Sequence, residues 1–281
     1  MNLSVLMSTL RVTLAASAIG LIFSVQASQA AKRDQLPESY PESRYAIDAS
    51  MKPWRSIGEI NVAGQRRCSG VLIHQSLVLT AAHCLWNPWK NRFYPATEIH
   101  FVAGAQLDTH LAHSRGKKLV GSKDYHFKEH PPFRELVHDW ALLELAKPLG
   151  RWIGYIPLST APLKNGSDNL LLAGYRQDRP YVLSLSKRCS LIKNRGNALL
   201  EHNCHAFEGD SGGPLIQVHE FPGEPSQFRV VGVQVAQVEI RSPKQLRVVS
   251  IAVANTLISP FALQFIQDIQ QTELNSSPAE S

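Results

Sequence analysis

Long apolar runs are scarce in this chain, which limits how it could associate with a membrane. The N-terminal run from Leu14 to Val25 has about 12 residues, whereas roughly 20 are needed to span a bilayer. The basic residue Arg11 precedes this run, and the small residues at 27–30 follow it in the pattern that signal peptidases cleave. We therefore predict a signal peptide over residues 1–30, cut after Ala30. The protein would be secreted or periplasmic, with no stable membrane anchor.

Dense blocks of Lys and Arg, and basic residues interleaved with aromatic ones, are also missing. The chain carries 29 Lys and Arg against 23 Asp and Glu, a formal charge of +6. Removal of the predicted signal peptide takes away only Arg11, so 28 basic and 23 acidic residues remain, a formal charge of +5. A mild charge of this kind is typical of solvated faces, and we predict no nucleic-acid partner.

The chain has only four cysteines, Cys68, Cys84, Cys189 and Cys204. Their even number and the predicted export favour two disulfides over metal ligation. Four cysteines allow three pairings, and we favour Cys68–Cys84 with Cys189–Cys204 because each pair closes one local loop. A loop of about 15 residues contributes roughly 3 kcal/mol to stability in the chain-entropy model.

Metal-binding patterns are equally sparse. No Cys-x-x-Cys occurs, and His110 and His113, three residues apart, have no acidic residues of matching spacing beside them. We interpret both histidines as exposed loop residues, and we predict neither a metal site nor a cofactor.

Helical patterns are scarce before the C-terminal end, and most of the chain consists of short β-like runs. These runs are rich in β-branched or aromatic residues and are separated by Gly, Pro, Asn and Asp. They are residues 57–62, 70–73, 77–79, 99–103, 140–145, 170–173, 181–185, 230–235 and 246–253. Short strands repeated in this way indicate antiparallel barrels or a sandwich rather than alternating βαβ units.

One clear helix signal stands near the C-terminus. Ser259 is predicted as the N-cap and Pro260 as the first helical residue of a helix within 258–271. Its apolar stripe consists of Phe261, Ala262, Phe265, Ile266 and Ile269. The polar residues 31–50 are predicted as a linker or short propeptide, and residues 272–281 as a flexible tail.

Three short strings point to the chemistry of the chain: TAAHC at 80–84, HDWALL at 138–143 and GDSGGP at 209–214. A serine hydroxyl is a weak nucleophile at neutral pH. It needs an imidazole to take its proton and a carboxylate to hold the imidazole in one tautomer. Because the three strings supply one of each group, the sequence predicts a hydrolase with a serine nucleophile.

With these strings in place, the chain resembles the trypsin/chymotrypsin-like serine peptidases, and especially their secreted bacterial members. The resemblance covers roughly residues 53–271 and rests on four strings in the family's order. These are CSGVLI at 68–73, LVLTAAHC at 77–84, DWALL at 139–143 and GDSGGP at 209–214.

The resemblance implies an all-β fold of two six-stranded antiparallel β-barrels, chymotrypsin-like, followed by the C-terminal helix. Residues 51–155 would form the N-terminal barrel, which carries His83 and Asp139, and residues 156–257 the C-terminal barrel, which carries Ser211. It also implies serine endopeptidase activity on protein or peptide substrates, and we expect a monomer.

Roles for individual residues follow from the same resemblance. His83 would be the general base that deprotonates Ser211 and the acid that protonates the leaving amine, and Asp139 would hold the other imidazole nitrogen. The backbone N–H groups of Gly209 and Ser211 would form the oxyanion hole.

A competing pattern is contained in the same serine string. Residues 209–213 also satisfy the G-x-S-x-G pattern of α/β-hydrolase esterases, whose catalytic residues run in the order Ser, acid, His. Here the last histidine, His219, follows Ser211 by only eight residues, and no βαβ alternation surrounds the serine. The order of the three strings therefore excludes the esterase.

Departures from the family pattern lie in the predicted substrate pocket. His205, six residues before the nucleophile, stands where an acid would select Lys or Arg, so trypsin-like specificity is not supported. The strand that usually ends in Ser-Trp-Gly in the family appears here only as VGVQVA at 231–236. With Glu208 at the predicted rim, we treat His205 and Glu208 as pocket candidates and hypothesise a preference for acidic side chains.

Activation is a further expectation taken from the family. Asp210 would pair with a new α-amino terminus released by cleavage, and a candidate cut lies after Arg44. The alternative to an enzyme is a non-catalytic binding protein that keeps the same fold.

Overall fold

The computed structural model describes residues 44–62, 66–242 and 245–276. The predicted signal peptide, the linker before Arg44 and the last residues of the predicted tail lie outside these ranges. Within them the fold is mostly β-structure with few helices, so the predicted all-β class is confirmed.

The described strands follow one another along the chain, with longer connections before the strands that begin at Ala141 and Leu170. They are β1 (Arg44–Ala46), β2 (Ile57–Val62), β3 (Arg66–Leu72), β4 (Leu77–Thr80), β5 (Trp86–Asn87), β6 (Arg92–Phe93), β7 (Ile99–Ala103), β8 (Ala112–Gly121), β9 (Ala141–Leu145), β10 (Leu170–Tyr175), β11 (Leu183–Ser186), β12 (Leu191–Arg195), β13 (Leu199–His202), β14 (Pro214–His219), β15 (Gln227–Ser242) and β16 (Gln245–Ala254). The described helices are α1 (Ala82–Leu85), α2 (Gly150–Ile153) and α3 (Asn255–Ser276), with short 3-10 helices at Trp54–Ser56, Ala96–Glu98 and Phe133–His138.

Six antiparallel strands close into a barrel in the order β2-β3-β4-β9-β8-β7. Residues of β7 alternate between buried and partly exposed, as expected for a strand with one face on a core. Every residue of β4 and β9 is buried, which shows that these two strands are covered on both faces. The paired ends of β4 and β9, Thr80 and Ala141, are therefore buried. The strings at 80–84 and 138–143 meet at these ends.

The second sheet has eight antiparallel strands in the order β1-β11-β10-β14-β15-β16-β13-β12. Two hydrogen bonds between the backbones of Leu170 and Cys189, 3.0 and 2.9 Å, bring the segment before β12 back to β10, so the sheet curls on itself. The strand β1 belongs to the segment that was predicted as a linker. It pairs with β11 from Arg44↔Ser186 to Ala46↔Ser184 and is part of the sheet.

The C-terminal helix is present but longer than predicted. It runs from Asn255 to Ser276, so Ser259 is not its N-cap and Pro260 lies inside it. The helix starts where β16 ends because the buried Asn255 anchors it there, with Nδ2 donating to the carbonyls of Ser159 (2.7 Å) and Ala161 (2.8 Å).

Three residues of the apolar stripe predicted for α3 are buried against the core. These are Ala262, Phe265 and Ile269, whereas Phe261 is half exposed and lies against Trp140 with ring centroids 4.9 Å apart. None of the described helices is long and apolar enough to cross a membrane.

Both disulfides join the cysteines that were predicted to pair. Cys68–Cys84 spans 16 residues and ties β3 to α1, and Cys189–Cys204 spans 15 residues and ties the approach to β12 to the end of β13. In the chain-entropy model a loop of this length contributes roughly 3 kcal/mol.

Candidate active site

His83 and Asp139 meet because the strands beside them are paired. His83 is on α1, directly after β4, and Asp139 lies two residues before β9; the register places Thr80 opposite Ala141. His83 Nδ1 lies 2.7 Å from Asp139 Oδ2, and the backbone N–H of His83 donates to Asp139 Oδ1 at 2.8 Å. A carboxylate can only accept here, so Nδ1 carries the hydrogen and Nε2 the lone pair.

Ser211 sits in a tight turn that leads into β14. Ser211 O accepts the N–H of Ser69 on β3 at 2.8 Å, and the N–H of Gly212 donates to Gln234 O on β15 at 2.8 Å. Inside the turn the N–H of Gly213 donates to Asp210 O at 2.8 Å. The turn is thus fixed from both sheets, which limits the positions that Ser211 can take.

The N–H groups proposed for the oxyanion hole are available to a ligand. Among the described residues, neither Gly209 nor Ser211 donates its backbone N–H to a protein acceptor. The carbonyl of Glu208 accepts the N–H of Gln177 at 2.7 Å, and in a trans peptide the N–H of Gly209 then points the opposite way. Two unused donors on one turn are the arrangement that stabilises a developing oxyanion.

The structure brings His83, Gly209 and Ser211 together around one cleft of about 610 Å³. Its lining also includes Tyr175, Gln177, Tyr181 and Glu208. A second cleft of about 430 Å³ lies on the other side of His83 and is lined by Asp139, residues 124–131 and residues 235–238. His83 therefore lines both clefts.

The two predicted pocket residues differ in position. Glu208 lines the larger cleft, whereas His205 is not among the described residues that line it. The His205 side chain is exposed, and its carbonyl oxygen accepts a hydrogen bond from Arg44 at 3.2 Å. This geometry gives His205 no support as the residue that selects an acidic side chain.

A buried polar pair near the site was not anticipated from the sequence. His202 Nε2 lies 3.0 Å from Gln234 Oε1, and Gln234 Nε2 donates to Ala236 O at 2.7 Å. The Gln234 side chain is thus engaged with β13 and its own strand, not with Asp139. Complete burial lowers the pKa of His202 to about 4, despite the hydrogen bond to Gln234, so this imidazole is neutral at pH 7. No local signal marks it, since Glu201 precedes His202 and none of the predicted β-like runs includes these residues.

Asp210 has a different partner from the predicted amino terminus. Its Oδ1 accepts a hydrogen bond from the guanidinium of Arg44 at 2.9 Å, and its Oδ2 accepts the N–H of Phe207 at 2.9 Å. Burial raises the pKa of Asp210, and the positive charge of Arg44 opposes that rise. In this structure Arg44 therefore supplies the cation through its side chain, and the expected cut after it is not needed to form the pair.

Among the residues that the structure describes, the one cluster with possible metal ligands consists of Cys68, His83 and Cys84. The sulfur atoms of Cys68 and Cys84 that lie near His83 are already joined to each other. His110 is exposed in a loop, as predicted, but His113 lies on β8, with its Nε2 2.8 Å from Nδ1 of His100 on β7.

Comparison with protein-family models matches residues 47–257 of the chain to the family described as Trypsin. The chain belongs to the trypsin family. Trypsin of Sarcophaga bullata is 25% identical over 186 residues, which cover 58% of this chain and 69% of that protein. Kallikrein-1E2 of Equus caballus is 32% identical over 105 residues, which cover 34% of this chain and 36% of the kallikrein. Coagulation factor IX of Cavia porcellus is 29% identical over 190 residues, or 58% of this chain and 62% of the factor.

Among solved structures, one described as Glu endopeptidase in complex with MPD is similar with a TM-score of 0.61 and 16% identity. The match covers 80% of this chain and 97% of that chain, and at this identity it shows the shared fold. The sequence relatives named above come from Sarcophaga bullata, Equus caballus and Cavia porcellus, so they do not support the narrower resemblance to bacterial members.

Proposed function

We propose that the chain is a serine endopeptidase that hydrolyses peptide bonds through an acyl-enzyme on Ser211. The observation that carries the proposal is the arrangement around the larger cleft. A carboxylate-held imidazole, a serine and two unused backbone N–H donors all face one space. These four groups together are what acyl transfer to water through a serine requires, and the trypsin fold favours a peptide bond as the substrate.

In the acylation half, His83 Nε2 takes the proton of Ser211 Oγ while Oγ attacks the carbonyl carbon of the scissile bond. The carbonyl oxygen becomes an oxyanion that accepts hydrogen bonds from the N–H groups of Gly209 and Ser211. Asp139 stabilises the imidazolium formed on His83. His83 then returns the proton to the leaving nitrogen, the C–N bond breaks, and an ester to Ser211 remains.

In the deacylation half, water takes the place of the departed amine. His83 removes a proton from this water as it attacks the ester carbonyl, and the same N–H groups stabilise the second oxyanion. The bond to Ser211 Oγ breaks, His83 gives the proton back to Oγ, and the new carboxylic acid leaves. The protein needs no cofactor for either half.

We also propose that the protein is exported and that residues 51–155 and 156–257 form the two halves between which the cleft lies. Closure of all four cysteines into disulfides supports an oxidising compartment. Intact-mass analysis of the exported protein tests this proposal, with a first residue of Ala31 as the expected result; a chain that keeps residues 1–30 contradicts it.

Labelling with a fluorophosphonate tests the proposed enzyme. We expect one label per chain, on Ser211, and a loss of labelling of at least about 10³-fold in His83→Ala, because the hydroxyl then lacks its base. His219→Ala is the control, since His219 on β14 lines neither cleft, and it should label at the wild-type rate. Absence of labelling in folded wild-type protein would favour the non-catalytic binding protein instead.

A further inference from the structure

Arg44 is buried to an unusual degree for an arginine near a chain terminus. Its side chain and that of Asp210 are both 0% exposed. Besides Asp210, the guanidinium donates to Ser184 O and Ser184 Oγ, both at 2.9 Å, and to His205 O at 3.2 Å. Arginine is almost never fully buried unless its charge is compensated in this way.

These contacts reach two points of the segment that precedes Ser211. One is His205 O at its beginning, and the other is Asp210, directly before the nucleophile. Asp210 Oδ2 in turn holds the N–H of Phe207. The segment between these points contains Gly209, whose N–H is one of the two proposed oxyanion donors.

The backbone of Arg44 is fixed as firmly as its side chain. Arg44 pairs with Ser186 and Tyr45 with Leu185 in the ladder between β1 and β11, and the N–H of Ile47 donates to Leu183 O at 3.0 Å. A cut after Arg44 would leave its pairing with Ser186 without the covalent support of the two ladder pairs that follow. It would therefore loosen the cation that Asp210 contacts.

We propose that Arg44 is a positioning residue of the active site. Its guanidinium, supplied by the N-terminal strand, holds Asp210 and thereby sets the Gly209 and Ser211 N–H groups, so the chain is active with the Arg44–Tyr45 bond intact. The inference rests on the proposed peptidase function. It names a residue outside the cleft on which catalysis depends, and it makes β1 part of the catalytic structure.

Substitutions at Arg44 test the proposal by separating kcat from KM on a small ester substrate. Arg44→Met keeps the length and removes the charge. We expect kcat to fall about 10²-fold or more, as on loss of an oxyanion donor, with little change in KM. Arg44→Lys restores the charge without the branched donors and should recover part of kcat. In Arg44→Ala, added methylguanidinium at millimolar concentration should raise kcat.

Arg55→Met is the matched control. Arg55 also donates to backbone carbonyls, those of Ile153 (2.6 Å) and Trp152 (3.3 Å), but it contacts no part of the serine turn. This variant should lose stability in urea unfolding and keep the wild-type kcat. A folded Arg44→Met protein with kcat within about twofold of wild type would overturn the proposal while the peptidase function stands.

Mass analysis of the labelled wild-type protein provides a readout that does not depend on the folding of any variant. Chains labelled at Ser211 should begin at or before Arg44, whereas labelled chains that all begin at Tyr45 would overturn the proposal. Wild-type protein that takes no label contradicts the proposed function instead, so the two failures are distinguishable.

Discussion

Gly209 and Gly223 are both positive-φ glycines, but their surroundings differ. It has φ +94°, and a Cβ there would overlap the carbonyl oxygen of Tyr175 and lie 2.7 Å from the backbone nitrogen of Gln177. Gly223 has φ +78°, but nothing lies within 4 Å of the position of its Cβ. At both positions the positive φ disfavours any residue with a Cβ. At Gly209 the neighbouring backbone atoms also leave no space for a Cβ.

This contrast gives a prediction at the scale of one residue. Gly223→Ala should lose about 1–3 kcal/mol of stability because alanine must take a left-handed conformation. Gly209→Ala should lose more than Gly223→Ala, because its Cβ also overlaps neighbouring backbone atoms. Gly209→Ala should in addition label about 10²-fold more slowly with a fluorophosphonate, since the displaced peptide no longer offers its N–H. Labelling rates and urea midpoints check both effects; equal labelling of the two variants would contradict the assignment of Gly209 to the oxyanion hole.

At this scale the sequence indicated which residues the candidate site contains, but not which other residues they contact. His83, Asp139 and Ser211 were predicted directly because each stands in a short recognisable string. The partner of Asp210 was missed because the guanidinium of Arg44 comes from a segment 166 residues away, and nothing local marks that contact.

At the scale of the elements, the pair formed by His202 and Gln234 depends on three adjacent strands. His202 on β13 pairs with Ser250 on β16, and Gln234 on β15 pairs with Ala252 on β16. Because the residues on the middle strand are small, the two long side chains meet across it, 3.0 Å apart. The imidazole is enclosed completely and remains neutral.

This burial predicts how stability depends on pH. The pKa of His202 is about 4 in the folded protein against 6.5 for an unperturbed histidine, so between these values the unfolded chain binds a proton that the folded protein does not. The free energy of unfolding therefore falls as pH decreases from 6.5 towards about 4, and the total loss over this range is about 3 kcal/mol.

Urea unfolding at pH 7, 5.5 and 4.5 checks this prediction with His202→Gln. The glutamine does not titrate, so the variant should lose less stability than wild type over this range, although it starts lower. His110→Gln, at an exposed loop position, serves as the control and should follow wild type. An identical decline in wild type and His202→Gln would show that other groups cause it.

At the scale of the whole molecule, the candidate site depends on contacts between the closed barrel and the second sheet. Ser69 on β3 makes three of them. Its N–H donates to Ser211 O (2.8 Å), its Oγ donates to Gly209 O (2.9 Å), and Oγ accepts the N–H of Tyr175 on β10 (2.8 Å). Cys68–Cys84 lies within the barrel and Cys189–Cys204 within the second sheet, so neither disulfide joins the two. The hydrogen bonds of the buried Ser69 do join them.

Ser69→Ala should therefore reduce both stability and activity. It leaves the N–H of Tyr175 and the carbonyl of Gly209 buried without this partner, which costs about 1–3 kcal/mol, and the Gly209 peptide becomes free to move. Ser186→Ala is the matched control, because the buried Ser186 Oγ also accepts a backbone N–H, that of Leu172 at 2.9 Å, but within the second sheet. Equal stability losses with slower fluorophosphonate labelling only in Ser69→Ala are expected; unchanged labelling in both would contradict the argument.

The fold class could be predicted in advance because alternation, turn residues and short runs are local properties. The limits of α3 could not, since Asn255 begins the helix through carbonyls near residue 160 and not through a neighbouring cap. The strand β1 was not predicted for the same reason. Its three residues belong to a polar segment and form a strand only because they pair with the edge strand β11.

By itself, the sequence determined which reactive groups the candidate site contains: a serine, an imidazole and a carboxylate in recognisable strings. It also determined four cysteines in two local loops and a succession of short strands. Only the tertiary structure decided that Arg44 provides the positive charge beside Asp210. It also decided that His205 is exposed and that His202 is buried in its neutral form beside Gln234. The physical reason is that covalent neighbours dictate local conformation and reactive groups. The electrostatic surroundings of a buried group come from segments that the chain brings together only when it folds.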